Sequence, residues 1–252
     1  MSSLEVLFTP AEFQVLHERD LSETVCIVFD ILRATSTMIT ALAHGANSIV
    51  PVKDIPEALA IRERELDVIL AGERNGLLIP ASLTGSIPFD AGNSPREFTA
   101  ELVRSKKIVM TTTNGTRALR SCAHAQTVLA GSFLNLAATG RFIERTRPKH
   151  LLLVCSGTLE QMAYEDVLGA GALCDLVWNH YSNGMITDSA LIARRLFQLG
   201  KSDLLSAIAS SRNGRRLLAR PELQADVEFC AQRDVVEIIG EMGADGAVRR
   251  GT

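Results

Sequence analysis

The sequence lacks the features that mark several whole classes of protein. It has five cysteines, an odd number, and none belongs to a CxxC pair or to a cysteine–histidine cluster with zinc spacing. No hydrophobic run reaches the roughly 18 residues that a membrane-spanning helix needs. Residues 1–10 contain no basic segment followed by an apolar run, so a secretory signal is not expected. These absences argue against a disulfide scaffold, a zinc module and a membrane protein, and they predict a cytoplasmic protein with reduced, mostly buried cysteines.

Charge of either sign is also not in excess. The 26 Lys and Arg residues and 29 Asp and Glu residues give a net charge of −3. Such a chain lacks the basic footprint of a general nucleic-acid binder, although a local basic pocket for a small anion is compatible with it. Hydrophobic residues are 46% of the 252 residues, which excludes general disorder and allows a sizeable core.

Several familiar catalytic motifs are missing as well. The sequence has no Gly-Lys-Ser/Thr of a Walker loop, and Leu32 stands where a dehalogenase-type phosphatase would carry its second aspartate. Cys155 has Gln161 six residues later instead of the arginine that a cysteine phosphatase requires. The five histidines lie outside the polar patches, and none pairs with a serine or cysteine as in a catalytic triad.

What the sequence does contain is a repeated order of short apolar run, small polar patch and helical pattern. The apolar runs that we interpret as strands are residues 25–29, 48–52, 68–71, 108–110, 128–130, 150–154 and 235–239. This order predicts an α/β fold, a three-layer structure with a mostly parallel or mixed β-sheet covered by helices on both faces. Right-handed crossovers would bring several strand C-termini to one edge, where ligands bind in open sheets. We expect one compact domain over residues 1–252, with two pseudo-similar lobes as the alternative.

A first polar patch follows the strand at residues 25–29. Asp30 ends the strand, and Arg33, Thr35 and Ser36 stand at the start of a predicted helix. Backbone N–H groups and the helix dipole favour an anion at such a position. Ordinary helix capping with an Asp30–Arg33 ion pair would explain the same residues without a ligand, and both interpretations stay open.

Other patches follow later strands. Residues 111–117 combine threonines, an Asn-Gly turn and an arginine, which suits an oxyanion cradle, although a plain strand-to-helix turn explains them equally simply. Glu73 and Arg74 follow another strand. Glu165 and Asp166 come early in a predicted helix, where paired carboxylates could bind Mg²⁺ or simply complement the helix dipole.

Together these patches resemble the 2-phosphosulfolactate phosphatase family, the ComB-like enzymes. The resemblance is carried, in family order, by residues 28–37, 71–76, 92–95, 111–119, 155–158 with 165–166, and 226–231. It implies an α/β fold and an Mg²⁺-dependent reaction that hydrolyses 2-phospho-3-sulfolactate to 3-sulfolactate and phosphate, a step of coenzyme M biosynthesis. The sequence departs from the family pattern at residues 159–164, directly after the Ser-Gly-Thr turn.

The resemblance also implies roles for individual residues. Asp30, Glu73, Glu165 and Asp166 are the implied Mg²⁺ ligands, and Asp30, Arg33 and Asp166 are the implied catalytic residues. Whether Asp30 is a covalent nucleophile or a metal ligand is left open by the sequence. The implied substrate-binding residues are Thr35, Ser36, Arg74, Asn75, Asn93, Ser94, Thr112, Thr113, Asn114, Gly115, Thr116, Arg117, Ser156, Gly157 and Thr158.

Two other functions stay open at this point. One is a phosphatase that acts on a different small phosphoester. The other is a non-enzymatic binding protein for phosphorylated or sulfonated metabolites, against which the acidic residues argue, because an anion binder gains nothing from added negative charge. The expected partner is a small anionic substrate, and a homo-oligomer is expected from base rates alone.

Overall fold

The computed structural model describes residues 1–251. Within that part of the chain, eleven strands form one sheet. They are β1 (Ser3–Leu7), β2 (Thr24–Phe29), β3 (Ser48–Pro51), β4 (Ile69–Arg74), β5 (Leu77–Leu78), β6 (Lys107–Thr111), β7 (Thr127–Gly131), β8 (His150–Cys155), β9 (Met185–Ile186), β10 (Gly240–Met242) and β11 (Val248–Arg250). Their order across the sheet is β5-β4-β6-β3-β11-β10-β7-β2-β8-β1-β9.

The sheet consists of two parallel halves joined by an antiparallel hairpin. Strands β4, β6 and β3 are parallel to one another, and so are β7, β2, β8, β1 and β9. The hairpin β10–β11 pairs antiparallel with β7 on one side and with β3 on the other. The two halves therefore run in opposite directions, which differs from the single edge of strand C-termini expected from the sequence.

Twist brings the C-terminal ends of the two halves back together. Five strand-to-strand steps separate β2 from β6. At roughly 20–25° for each step, the rotation accumulates to on the order of 100°. The contacts described below show that the loops after β4 and β6 meet those after β2 and β8, so the two halves share one cleft.

Helices cover both faces of the sheet. They are α1 (Pro10–Gln14), α2 (Ala34–Ala43), α3 (Ile55–Arg64), α4 (Ala81–Thr84), α5 (Ala100–Val103), α6 (Gly115–Ser121), α7 (Leu136–Thr146), α8 (Tyr164–Tyr181), α9 (Asp188–Gly200), α10 (Leu204–Ala209), α11 (Arg212–Leu218) and α12 (Gln224–Ala231). Alternate residues of β2 enter different cores, because successive side chains of a strand point to opposite faces. Ile27 and Phe29 pack with α7 to α12, whereas Cys26 and Val28 pack with α1, α2 and α6.

These observations confirm the predicted α/β fold with a mixed sheet between two helical layers. The prediction of one compact domain stays a prediction. All five cysteines are free and buried, as predicted, and within residues 1–251 no helix is long and apolar enough to cross a membrane.

One predicted strand is wrong. Residues 235–239 form no strand, and the strand in this region begins at Gly240. The backbone of this segment is instead held by single hydrogen bonds to the loop after β7, in which Val236 N–H donates to the Leu134 carbonyl and Asn135 Nδ2 donates to the Ile238 carbonyl. Ile238 and Ile239 are buried here without a strand ladder, whereas Val235 is exposed.

Gly72 lies where β4 and β6 approach each other closely, and a substitution there tests this contact. Its φ is +149°, and a Cβ there would lie 2.0 Å from the Thr111 carbonyl oxygen of β6. Gly72→Ala should therefore lower the free energy of unfolding by roughly 3 kcal/mol or more, through strain and overpacking together. Urea denaturation measures the loss.

Gly85→Ala is the matched control. Gly85 also has a positive φ, +73°, but a Cβ there meets nothing within 4 Å. It should lose only about 1 kcal/mol, from backbone strain alone. Equal losses in the two variants would show that the close approach to β6 is not what requires glycine at residue 72.

Candidate active site

A polar cleft lies where the loops after β2, β4, β6 and β8 meet helix α11. The space between its walls, counted together with the open solvent at its mouth, is about 600 Å³. Its lining is Asp30, Leu32, Arg33, Glu73, Asn75, Gly76, Asn93, Thr112, Thr113, Asn114, Gly157, Thr158, Leu159, Asp166, Asn213 and Arg216.

Asp30 stands at the end of β2 and at the start of α2. Its Oδ1 accepts a hydrogen bond of 3.0 Å from Ala34 N–H, so the carboxylate itself occupies the anion-favouring N-terminus of α2. Thr35 fixes the backbone of Asp30, because its Oγ1 accepts from Asp30 N–H and donates to the Asp30 carbonyl. Gly115 permits a close approach from α6, since a Cβ there would lie 2.6 Å from Asp30 Oδ2. Within residues 1–251 no group donates a hydrogen bond to Oδ2.

Asp166 links the two loops on either side of the cleft floor. It belongs to the first turn of α8 and is only 2% exposed. Its Oδ1 accepts from Ile31 N–H at 2.8 Å, and its Oδ2 accepts from Gly157 N–H at 3.1 Å. The carboxylate therefore ties the loop after β2 to the loop after β8.

At this point of the cleft, burial and neighbouring carboxylates make it costly to ionise Asp30 and Asp166. Desolvation, together with the charges of Glu73 and Glu165, raises the pKa of Asp30 from its ordinary value of 3.8 to about 7. Desolvation, Glu165 and Asp30 raise the pKa of Asp166 well above its usual range. The hydrogen bonds from backbone N–H groups, and for Asp30 also the charge of Arg33, oppose these shifts without cancelling them.

Glu73 also accepts hydrogen bonds at both of its oxygens, and these join two other loops of the cleft. Its Oε1 accepts from the N–H and the hydroxyl of Thr113, and its Oε2 accepts from Gly76 N–H. These bonds, between 2.7 and 2.9 Å, join the turn after β4 to the loop after β6. Glu73 shapes the cleft wall.

Arg33 is held by a buried ion pair with Asp226 of α12. The side chains are 3% and 0% exposed, and Arg33 Nη1 lies 2.6 Å from Asp226 Oδ2. The second nitrogen, Nη2, donates to the Gly76 carbonyl at 2.7 Å. Asp226 also accepts from Ser94 Oγ at 2.6 Å and pairs with Arg96 at 3.2 Å. Asp226 thus neutralises Arg33 and fixes its position.

Glu165 and Asn213 form a buried polar pair beneath the cleft. Asn213 Nδ2 donates to Glu165 Oε1 at 2.5 Å and to Thr158 Oγ1 at 2.7 Å. The other polar atom of each side chain, Glu165 Oε2 and Asn213 Oδ1, is buried and has no partner within residues 1–251. Buried polar atoms without a partner are costly, which points to a further group bound here.

Comparison with known proteins identifies this arrangement. The model of the family described as 2-phosphosulpholactate phosphatase matches residues 11–244. The chain belongs to the 2-phosphosulpholactate phosphatase family. It is accordingly a phosphatase of this family, a phosphoric monoester hydrolase, which confirms the resemblance found in the sequence.

Curated relatives agree over almost the whole chain. A protein of Pseudothermotoga lettingae named "Probable 2-phosphosulfolactate phosphatase" is 38% identical over 94% of this chain and 94% of its own length. Proteins with the same name from Caldicellulosiruptor saccharolyticus and Symbiobacterium thermophilum are 34% and 36% identical. They are covered over 96% and 91% of their lengths, and they cover 93% and 87% of this chain.

The structure brings most of the predicted site residues of this phosphatase into one cleft. Of the residues expected from the sequence, those that line it are Asp30, Arg33, Glu73, Asn75, Asn93, Thr112, Thr113, Asn114, Gly157, Thr158 and Asp166. They come from separate loops, as the strand-end patches suggested.

Other predicted substrate-binding residues face away from the cleft or are bonded elsewhere. The hydroxyls of Thr35 and Ser36 donate to the carbonyls of Asp30 and Ile31. Arg74 donates to Thr111, and Arg117 pairs with Glu160 at the surface. The remaining residues of this group are structural neighbours of the cleft: Ser94, which donates to Asp226, Gly115, which packs on Asp30, Thr116, which bonds to Thr112, and the fully buried Ser156.

The four predicted metal ligands do not form one set. Within residues 1–251 no three Asp, Glu, His or Cys side chains are grouped so that they could hold a metal ion. Asp30 and Asp166 line the cleft, Glu73 is saturated by its donors, and Glu165 lies beneath the lining, against Asn213. Of the three that line the cleft, Asp30 alone keeps an oxygen, Oδ2, that accepts no hydrogen bond within residues 1–251.

Sequence reasoning missed three residues of the site. Asn213 and Arg216 line the cleft from α11, and Asp226 holds Arg33. Residues 212–216 read Arg-Asn-Gly-Arg-Arg, which looks like an ordinary solvated helix face. Asp226 carried the one available signal, because it belongs to the segment 226–231 that resembles the family.

Asp30→Asn tests whether ionising Asp30 in the folded protein lowers its stability. Because the folded protein holds the Asp30 proton more tightly than the unfolded chain, stability is lost as pH rises from about 4 through 7. The amide keeps an acceptor for Ala34 N–H without the charge. The metal-free variant should exceed the wild type in Tm at pH 8 by at least about 2–4 °C, as expected for each 1 kcal/mol. Differential scanning calorimetry with EDTA measures the difference, which should shrink toward pH 4.

The opposite sign is expected for Asp245→Asn. Arg249 holds the pKa of Asp245 well below its usual range, so this variant should lose a little stability at pH 8. A Tm for Asp30→Asn that is below that of the wild type at pH 8 would show that the charge of Asp30 does not destabilise the folded protein.

Asp226→Asn tests the buried ion pair. It leaves the Arg33 charge buried without a counter-ion and should lower the free energy of unfolding by roughly 3–5 kcal/mol. Asp175→Asn is the control, since Asp175 pairs with Arg194 while both side chains are about one-fifth exposed. Its loss should stay near 1 kcal/mol or less. Urea midpoints that fall equally in both variants would remove Asp226 from the role assigned to it.

Proposed function

We propose that this phosphatase hydrolyses 2-phospho-3-sulfolactate to 3-sulfolactate and inorganic phosphate, with Mg²⁺ as its cofactor. The names of the curated relatives support this substrate, and the chemistry of the cleft is compatible with a small polyanion. The proposal includes the metabolic place that the resemblance implies, a step of coenzyme M biosynthesis in the cytoplasm.

The observation that carries the proposal is the pair Asp30 and Asp166 in the floor of one cleft. Both carboxyls have raised pKa values because burial and neighbouring carboxylates disfavour their charged forms. A protein that only binds anions would be weakened by such a pair. A hydrolase that brings a cation to a phosphoryl group needs it.

Two carboxylates, those of Asp30 and Asp166, are enough protein ligands for Mg²⁺. This ion is usually held by one or two carboxylates together with waters and substrate phosphate oxygens, so three protein ligands are not required. Asp30 and Asp166 would hold it, with Asp30 Oδ2 as the open oxygen. When bound, the ion would neutralise phosphate charge and polarise the phosphoryl group.

The chain itself would orient the ester. Asn75, Asn93 and Asn114 present amide groups from the walls of the cleft, where they can donate to phosphate oxygens. Glu73 holds Thr113 in place, so this wall is set before the substrate arrives. Positioning of this kind supplies much of the catalysis of phosphoryl transfer.

The experiment is phosphate release from a panel of small phosphoesters that includes 2-phosphosulfolactate, with Mg²⁺ and then with EDTA. We expect the highest kcat/KM on 2-phosphosulfolactate and loss of release in EDTA that added Mg²⁺ restores. Asp30→Asn should lower kcat by about 100-fold or more, as for loss of a group that acts on the reacting phosphoryl. Asp245→Asn, an exposed carboxylate outside the cleft, is the control.

The outcomes separate the parts of the proposal. A preference for another ester would overturn the substrate and keep the hydrolase. Release that EDTA does not affect would overturn the metal. No release from any ester, with anion binding intact by calorimetry, would favour a binding protein.

A further inference from the structure

The arginines expected to bind the substrate are already engaged by the protein. Arg33 pairs with Asp226, Arg74 donates to Thr111 and to the Glu73 carbonyl, and Arg117 pairs with Glu160. The proposed substrate carries a carboxylate and a sulfonate besides its phosphate. Its additional anionic groups therefore need a cation from elsewhere.

Arg216 is the uncommitted cation of the cleft. It projects from α11, lines the cleft and is exposed at its mouth. Within residues 1–251 its guanidinium makes no hydrogen bond, ion pair or ring contact. A guanidinium without a partner keeps its full fork of donors for a ligand anion.

The base of α11 is rigidly attached to the cleft wall. Arg212 donates to the Thr158 carbonyl at 2.7 Å, and Asn213 donates to Thr158 and Glu165. Asn213 also lines the cleft, is 4% exposed and keeps an unpartnered Oδ1. A free guanidinium and a buried unpartnered amide oxygen, one helical turn apart at residues 216 and 213, mark this wall as a ligand-binding surface.

We propose that Arg216 binds a second anionic group of the substrate, the carboxylate or sulfonate beside the phosphate-bearing carbon. It thereby selects phosphoesters with an acidic tail over simple ones. This inference rests on the proposed function, because it presumes that a phosphoester is the substrate. The acidic pair Asp30 and Asp166 lies on the floor and Arg216 at the mouth, so the phosphate and the tail are separated along the cleft.

The test uses four esters of the same secondary alcohol type. They are 2-phosphosulfolactate, 2-phospholactate without the sulfonate, 1-sulfopropan-2-yl phosphate without the carboxylate, and isopropyl phosphate with neither. With 2-phosphosulfolactate as the substrate, we expect Arg216→Gln to raise KM about 10- to 100-fold, as for loss of a charged hydrogen bond, and to leave kcat unchanged. With isopropyl phosphate, KM should not change. Arg216→Lys should fall between, since it keeps the charge and loses the fork.

Arg215→Gln is the matched control. Arg215 is the neighbouring exposed arginine of the same helix, does not line the cleft and donates to the Ser210 carbonyl. The variant has the same net charge as Arg216→Gln, so a long-range electrostatic effect would appear in both. The two single-tail esters then identify the group that Arg216 contacts, because only the ester that carries it suffers the rise in KM.

Three results would overturn the inference. In the first, Arg216→Gln raises KM for isopropyl phosphate as much as for the acidic esters. In the second, Arg216→Gln and Arg215→Gln change KM equally on all four esters. In the third, Arg216→Gln lowers kcat and leaves KM unchanged. Failure of the wild type on 2-phosphosulfolactate with turnover of another ester would instead overturn the proposed substrate. If no ester is hydrolysed, calorimetry with 3-sulfolactate decides, since Arg216→Gln should lose its binding and Arg215→Gln should keep it.

Discussion

The structure depends on a carboxylate that is buried where two loops must meet. Asp166 accepts hydrogen bonds from Ile31 N–H and Gly157 N–H, so it joins the loops after β2 and β8 just beyond the point where the two strands stop pairing. Burial, together with the charges of Glu165 and Asp30, raises the pKa of this carboxylate. The fold therefore keeps carboxyl groups in the cleft where ionising them is costly.

Most polar residues near Asp30 and Asp166 form hydrogen bonds or ion pairs with other parts of the protein. Asp226 neutralises Arg33, Glu73 holds Thr113, and Thr35 closes the turn at Asp30. These interactions fix the walls of the cleft before any ligand enters. Only a few groups are left open toward it, among them Asp30 Oδ2 and the Arg216 guanidinium. One of these groups is a carboxylate oxygen and the other a cation, so the open groups of the cleft differ in charge.

Local signals predicted the elements well and the long-range partners poorly. The continuous apolar run of β2, the polar patch after it and the helix α8 with its early carboxylates were visible, because strand burial and helix starts leave marks within a few residues. The partner of Arg33 was not visible, since Asp226 lies 193 residues away. The hydroxyls of Thr35 and Ser36 were assigned to a ligand because composition cannot show which carbonyl a hydroxyl reaches. Likewise, nothing local shows that the hairpin β10–β11 reverses one half of the sheet relative to the other.

That hairpin has a consequence for the order in which the molecule is completed. Strands β3 and β7 are joined only through β10 and β11, which are synthesised after every other strand. Helices α11 and α12, with Arg216 and Asp226, also come late in the chain. A chain that ends before residue 212 would hold nine of the eleven strands, β1 to β9, and the loops that line most of the cleft. It would lack Asn213 and Arg216 of the cleft wall, Asp226 that pairs with Arg33, and the hairpin that joins the two halves of the sheet.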